Sequence, residues 1–412
     1  MSDKHLRSAD GYRLNRWSLL TGFALTLVII FLAGVTMRIL GETGGSNSYA
    51  ILAESFLNAR LYAESCFDVD CAIFEGRTYI IFPPFPAIIV APFVAFSGKE
   101  FAGFIPLSLM MVSLAAYLWW RIIRFAGRSI NDTLWFVLAF VFATPLYYVL
   151  IRSDGIWFFA QATAFLLVTL SLHETLVGRR FVLAGLFLGM AFLTRQMSIF
   201  YLPFLFVCAL EENEKLFSLN KSNLILALKL GLPVAVSLGI YLVYNEVRFG
   251  NPLDTGYGYI TSTKDTFINH RIHDLGLFSN KYVTFNAFYL FLQGFHVEFG
   301  GPYLTKIMNL DSNGASLLAA SPFVMLLFFT PLRRDFIIGF MIIAVMVIFM
   351  LFYHSNGYSQ YNVQRYTLDW LPIAFLMLIV AVSHARMKVF KILVSYALVL
   401  NIATLAVLAV IK

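Results

Sequence analysis

The segment G44-GSNSYAILAESFLNARLYAESCFDVDCAIFEGRTYIIFPPFPAIIVAPFVAFS-G98 decides how this chain is read. It holds Glu54, Glu64, Asp68, Asp70 and Glu75, with Glu42 just before it, and ends in a double proline and a short apolar run. Long apolar segments stand on either side. An acidic, aromatic loop pinned between membrane spans is where an integral-membrane enzyme would keep its chemistry.

Outward from that loop the composition leaves little room for a soluble protein. Of 412 residues, 59% are hydrophobic and only 13% charged, against about 25% charged in soluble domains. Mean hydropathy is +0.77. Apolar runs near the length needed to cross a bilayer recur throughout. The expected fold is an all-α polytopic membrane protein of about eleven transmembrane helices, a single transmembrane domain over 1–412. The spans are read at 17–38, 103–120, 133–151, 156–172, 181–195, 197–210, 223–245, 315–331, 336–353, 369–384 and 389–411. The net charge of +7 points to orientation rather than nucleic acid, because basic residues mark cytoplasmic loops.

Lys4, Arg7, Arg13 and Arg16 precede Trp17–Leu40, which reads as an uncleaved first span with a cytoplasmic N-terminus. Further basic clusters fall at Arg121/Arg124/Arg128, Arg179/Arg180, Lys215/Lys221, Arg333/Arg334 and Arg386/Lys388/Lys391. All six lie on one side only if Pro83–Phe96 does not cross. That element, with Pro83, Pro84, Pro86 and Pro92, is therefore read as re-entrant or juxtamembrane. Two large outer loops follow, 39–102 and 246–314. Cys66 and Cys71 are either a disulfide around Asp68 and Asp70 or two free thiols.

Arg152, Arg195, Arg248 and Arg365 sit at outer span ends, where polar groups need partners or a role. Their planar forks suit the phosphate of a lipid carrier; the plainer reading pairs each with a nearby acid or lipid headgroup. A carboxylate among Glu42, Glu54 and Asp70 is the candidate base for an acceptor hydroxyl, although Glu54 also has Arg60 within reach on a helix. Asn47, Tyr49, Tyr257 and Gln360 are candidates for sugar or acceptor contact. His270, His273, His296 and His354 have no metal-ligand spacing, so no metal site is assigned; a divalent cation stays an open alternative, since a carboxylate can coordinate one.

The order of these features resembles the GT-C superfamily of membrane glycosyltransferases, which includes protein O-mannosyltransferases and lipid A aminoarabinose transferases. The resemblance covers most of the chain. It rests on the large first outer loop, FPPFPAIIVAPFVAFSG, SLAAYLWWRIIR, GLFLGMAFLTRQ, YNEVRFGNPLDTGYGY and QRYTLDWLPI, and is strongest to bacterial members with YNxxRFGxP and RYxLDxLP strings. It implies transfer of a sugar from a polyprenyl-phosphate donor to a cell-envelope glycan, lipid or protein acceptor at the periplasmic face of a bacterial inner membrane. Asn47 and Ser48 stand where the family usually has an early acid. Glu42 or Glu54 then substitutes, or Asp70 does the work, or the chain is an inactive carrier-binding homologue; Asp70 is favoured, ahead of GRTYIIFPP. The alternative class is a transporter or flippase for lipid-linked saccharides, which would carry its polar lining through to the inner face.

Overall fold

The computed structural model describes residues 16–40, 44–67, 70–211, 218, 220–260, 266–357, 361, 363–411. The chain is about 71% helical, and the described residues hold two small two-stranded sheets. In chain order the elements are α1 (Arg16–Leu40), α2 (Ser48–Leu57), the hairpin β1 (Cys71–Phe74) and β2 (Arg77–Ile80), α3 (Phe85–Ser97), α4 (Phe104–Phe125), α5 (Ile130–Phe142), α6 (Leu146–Ile151), α7 (Ile156–His173), α8 (Phe181–Phe192), α9 (Tyr201–Ala209) and α10 (Lys221–Phe249). Then come α11 (Phe267–Leu275), α12 (Val283–Ala287), the hairpin β3 (Val297–Gly300) and β4 (Lys306–Leu310), α13 (Leu317–Ala320), α14 (Arg334–Phe352), α15 (Leu371–Ala381) and α16 (Met387–Ile411).

Among the described residues, five helical segments are long and apolar enough to cross a membrane: Phe104–Phe125, Ile156–Gly178, Lys221–Phe249, Arg334–Phe352 and His384–Ile411. Several other predicted spans are broken or short. The run 133–151 divides at Ala143–Pro145, where Pro145 has no N–H to continue the α5 ladder. The run 315–331 is the four-residue α13 followed by a 3-10 helix at Pro322–Phe329, with Pro322 again at the break. The run 369–384 holds only the 11 residues of α15. The prolines of Pro83–Phe96 give the short α3.

Burial sorts the helices. α15 is apolar on all sides and nearly all of its side chains are buried, as a helix surrounded by other helices must be. Around it, Trp119, Phe136, Phe140, Phe375 and Phe390 interlock; the Phe140 and Phe375 rings stack at 4.1 Å and the Phe136 and Phe390 rings lie 4.6 Å apart. α10, α14 and α16 instead turn exposed apolar side chains outward, including Val243, Val247, Ile348 and Ile402. α8 packs against α10 through glycine: a Cβ on Gly185 would lie 2.3 Å from the Leu230 carbonyl oxygen, and one on Gly189 2.3 Å from Ser237 Oγ. Small residues at a crossing let two backbones approach.

The arginines of the short turns gather at one end. Arg128 donates to the carbonyls of Ile379 and Val382 (the latter at 2.7 Å), and Arg386 to that of Ala381 at 3.0 Å, so both satisfy the exposed C-terminal carbonyls of α15. Arg179 does the same for Ala209 at the end of α9, at 2.9 Å. This is the charge sense that a helix C-terminus favours.

Candidate functional site

The opposite end begins with the 44–98 loop. Asn47 caps α2: its Oδ1 accepts from the Tyr49 N–H at 2.9 Å, and its Nδ2 donates to the Asp154 carbonyl at 3.2 Å. Tyr49 is wholly enclosed, its ring 6.2 Å from Phe82 and 6.1 Å from Phe159. Both residues are therefore consumed by structure, and neither presents itself to a sugar. Arg60, beyond the end of α2, pairs with Glu64 rather than with Glu54. Glu54 stays half-buried on α2.

Cys66 and Cys71 form a disulfide, Cα atoms 6.3 Å apart, which closes the loop carrying Asp70. The hairpin follows at once. Glu75 (φ 48) and Gly76 (φ 73) both have positive φ, as a two-residue hairpin turn with right-handed strand twist requires. The sequence reading places no strand in this loop; the signal for one is Glu-Gly between β-favouring residues. Ala72 bridges to Ile260, which brings the strand beside the Tyr257–Tyr259 turn.

Asp70 emerges from this corner half-buried, its Oδ2 accepting from Trp157 Nε1 at 2.7 Å in the first turn of α7. Its negative charge reaches Tyr257, whose phenol is pushed above the usual range by burial first and by Asp70 second. The Tyr257 ring lies 6.2 Å from that of His354, and the Tyr353 ring 6.4 Å from that of Tyr366. The Tyr353 and His354 rings meet at a tilt of 54°, centres 4.1 Å apart. His354 is buried, its Nδ1 has no hydrogen-bond partner among the described residues, and burial lowers its pKa to about 4.

Two of the predicted arginines flank Tyr366. The Arg195 guanidinium lies 5.4 Å from that ring's centre and the Arg365 guanidinium 4.9 Å. Arg195 makes a forked pair with Asp369, Nε to Oδ1 at 2.7 Å and Nη2 to Oδ2 at 2.6 Å. The pair is largely shielded from solvent, and Asp369 balances the Arg195 charge in place. Tyr201 donates to the Asp369 carbonyl at 2.8 Å. Arg365 is buried; it donates to the Gly357 carbonyl and, through Nη1, to Gln161 Oε1, both at 3.0 Å, while Gln161 Nε2 returns a bond to the Arg365 carbonyl at 3.0 Å. A buried glutamine on α7 thus has both amide ends satisfied by one residue 204 positions away.

Arg248 stands apart. It is 2% exposed and sandwiched by Tyr244 and Phe249, and it donates to the Ile80 carbonyl at 2.9 Å and to Asn245 Oδ1 at 2.8 Å. Its charge is spent on holding β2 to the end of α10. Arg152 faces Asp154 at 3.6 Å, beside the Asn47 contact. Glu42, Gln360 and Asp68 lie outside the described residues.

The assembled group is a carboxylate (Asp70), three tyrosines (Tyr257, Tyr353, Tyr366), a neutral imidazole (His354) and two guanidiniums (Arg195, Arg365). Sequence reasoning placed Asp70, Tyr257, Arg195 and Arg365 here, and missed Trp157, Gln161 and Asp369 as the groups that orient them. Among the described residues no three His, Cys, Asp or Glu side chains stand together as a metal-binding set. No family model, no curated protein and no solved structure matches this chain.

Proposed function

We propose that this protein transfers a sugar from a polyprenyl-phosphate donor to an acceptor hydroxyl on a cell-envelope glycan, lipid or protein. In this reading the chain makes about eleven membrane passages, the N-terminus and the arginine-capped turns are cytoplasmic, and the Asp70 end faces the periplasm of a bacterium. The observation that carries it is the meeting of Asp70 with Arg195 and Arg365 around one set of tyrosines, a carboxylate and two cations at the same end of an apolar bundle.

The acceptor oxygen attacks C1 of the sugar, the bond from C1 to the phosphate oxygen breaks with inversion, and Asp70 takes the acceptor proton. Polyprenyl phosphate leaves with the electron pair, and Arg195, with N–H groups beyond those used by Asp369, stabilises the charge that develops on it. The tyrosine faces receive the sugar. Arg365 and Gln161 hold the Arg365–Asp369 turn.

Asp70→Asn keeps an acceptor oxygen for Trp157 and removes the base. Purified protein is expected to transfer radiolabelled sugar from at least one member of a panel of polyprenyl-phosphate sugars, and Asp70→Asn to lose about 100-fold or more of that rate. Undiminished transfer by Asp70→Asn would exclude Asp70 as the base. Donor binding without turnover by the unaltered protein would instead favour a carrier-binding or transport protein.

A further inference from the structure

The arginine-capped end, away from the Asp70 group, contains a cleft of about 510 Å³. Two elements that meet only in the folded chain build it. Ser129, Asn131 and Asp132 come from the first turn of α5, and His384, Lys388 and Lys391 from the turn into α16 and its first residues. Ser129 caps α5 by accepting from the Asp132 N–H at 3.1 Å, so the positive end of a 13-residue helix opens on the cleft. The neighbouring arginines are already occupied with the α15 carbonyls.

The charges in the cleft do not cancel. Lys391 Nζ lies 3.7 Å from Asp132 Oδ1, while Lys388 is exposed and pairs with no carboxylate among the described residues. Two lysines face one carboxylate, and His384 adds a further nitrogen at the rim. A polar cleft with surplus positive charge suits a phosphate. Its apolar wall tells which kind: Met387 and Ile392 line it, and Ile392 continues along α16 into Tyr396, Val399 and Ile402, each more than half exposed. At spacings of three and four residues these form one face of the helix. A phosphate seated by Lys388 and Lys391 would carry its acyl chains down that face.

We propose that this cleft is a binding site for the phosphate headgroup of an anionic phospholipid, separate from the Asp70 group and independent of any activity there. Basic pockets between membrane helices are suited to such headgroups.

The test is native mass spectrometry of the full-length protein, released from bilayers of equal parts phosphatidylglycerol and phosphatidylcholine. Phosphatidylglycerol should be retained preferentially. Lys388→Glu and, separately, His384→Glu should reduce that preference, Lys388→Glu by about fivefold or more, the equivalent of 1 kcal/mol. Both side chains are exposed, so folding in phosphatidylcholine alone should be unchanged. Lys221→Glu, an exposed basic residue at another turn, should keep the preference. Equal retention by Lys388→Glu and unaltered protein would overturn the proposal, as would an equal loss in Lys221→Glu, which would make the effect one of bulk charge. Displacement of phosphatidylglycerol by inorganic phosphate would show a soluble anion to be the occupant and overturn the lipid assignment.

Discussion

At the scale of single residues, the most consequential side chain at the Asp70 end is Asp369. It neutralises Arg195 through a forked bond while Tyr201 and Arg365 fix the turn on which it sits. Both partners are largely shielded, at 18% and 9% side-chain exposure. Removing one leaves an uncompensated charge, which in a buried pair costs about 3–5 kcal/mol, whereas replacing both with apolar groups of similar size is often close to neutral. Asp369→Leu should therefore lower the melting temperature in detergent sharply, and the double variant Arg195→Met/Asp369→Leu should recover most of the loss. A double variant no better than the single one would mean that the two residues do not act as a pair.

His354 yields a pH prediction. Folding holds its imidazole neutral with a pKa near 4, below the ordinary value of 6.5. The unfolded chain takes up a proton that the folded chain refuses, so this contribution is fully present above pH 6.5 and is lost as the pH falls toward 4. His354→Phe keeps a ring against Tyr353 and removes the titration. The thermal stability of the parent should fall across that window, and that of His354→Phe should fall less; parallel curves would rule out His354 as the source.

At the scale of elements, the α8–α10 crossing is the most exacting contact. Gly185 meets the Leu230 backbone, not a side chain that can swing aside. Gly185→Ala should force the helices apart and destabilise by about 1–3 kcal/mol, read as a drop in melting temperature, whereas Gly231→Ala, whose Cβ would meet nothing within 4 Å, should be tolerated. The same scale shows why reading by local pattern succeeded in some places and failed in others. Pro83–Phe96 was legible as a short helical element because its four prolines act locally. The span at 315–331 was misread because its apolar composition suits any buried conformation, and only packing decided that Pro322–Phe329 winds as a 3-10 helix.

At the scale of the whole molecule, the basic turns were legible because they obey a rule about charge and topology. The structure adds what those arginines touch: the carbonyl ends of α15 and α9. The candidate site was legible only by side of the bundle. Arg195 and Arg365 were placed at the same end as Asp70, but nothing local says that Asp369 answers Arg195 from 174 residues away. Nor does anything local say that Arg248, in equally suggestive surroundings, is absorbed by the Ile80 carbonyl. Long-range pairing leaves no trace in spacing.

The shortness of α15 and α8 has a geometrical outcome. At about 1.5 Å per residue, the 11 and 12 residues of these helices measure roughly half the ~30 Å hydrocarbon thickness of a bilayer. The 29-residue α10 beside α8 exceeds that thickness. Arg195 follows the last turn of α8 and Asp369 precedes the first turn of α15, so the forked pair ties together the ends of two helices that are each too short to cross a bilayer alone.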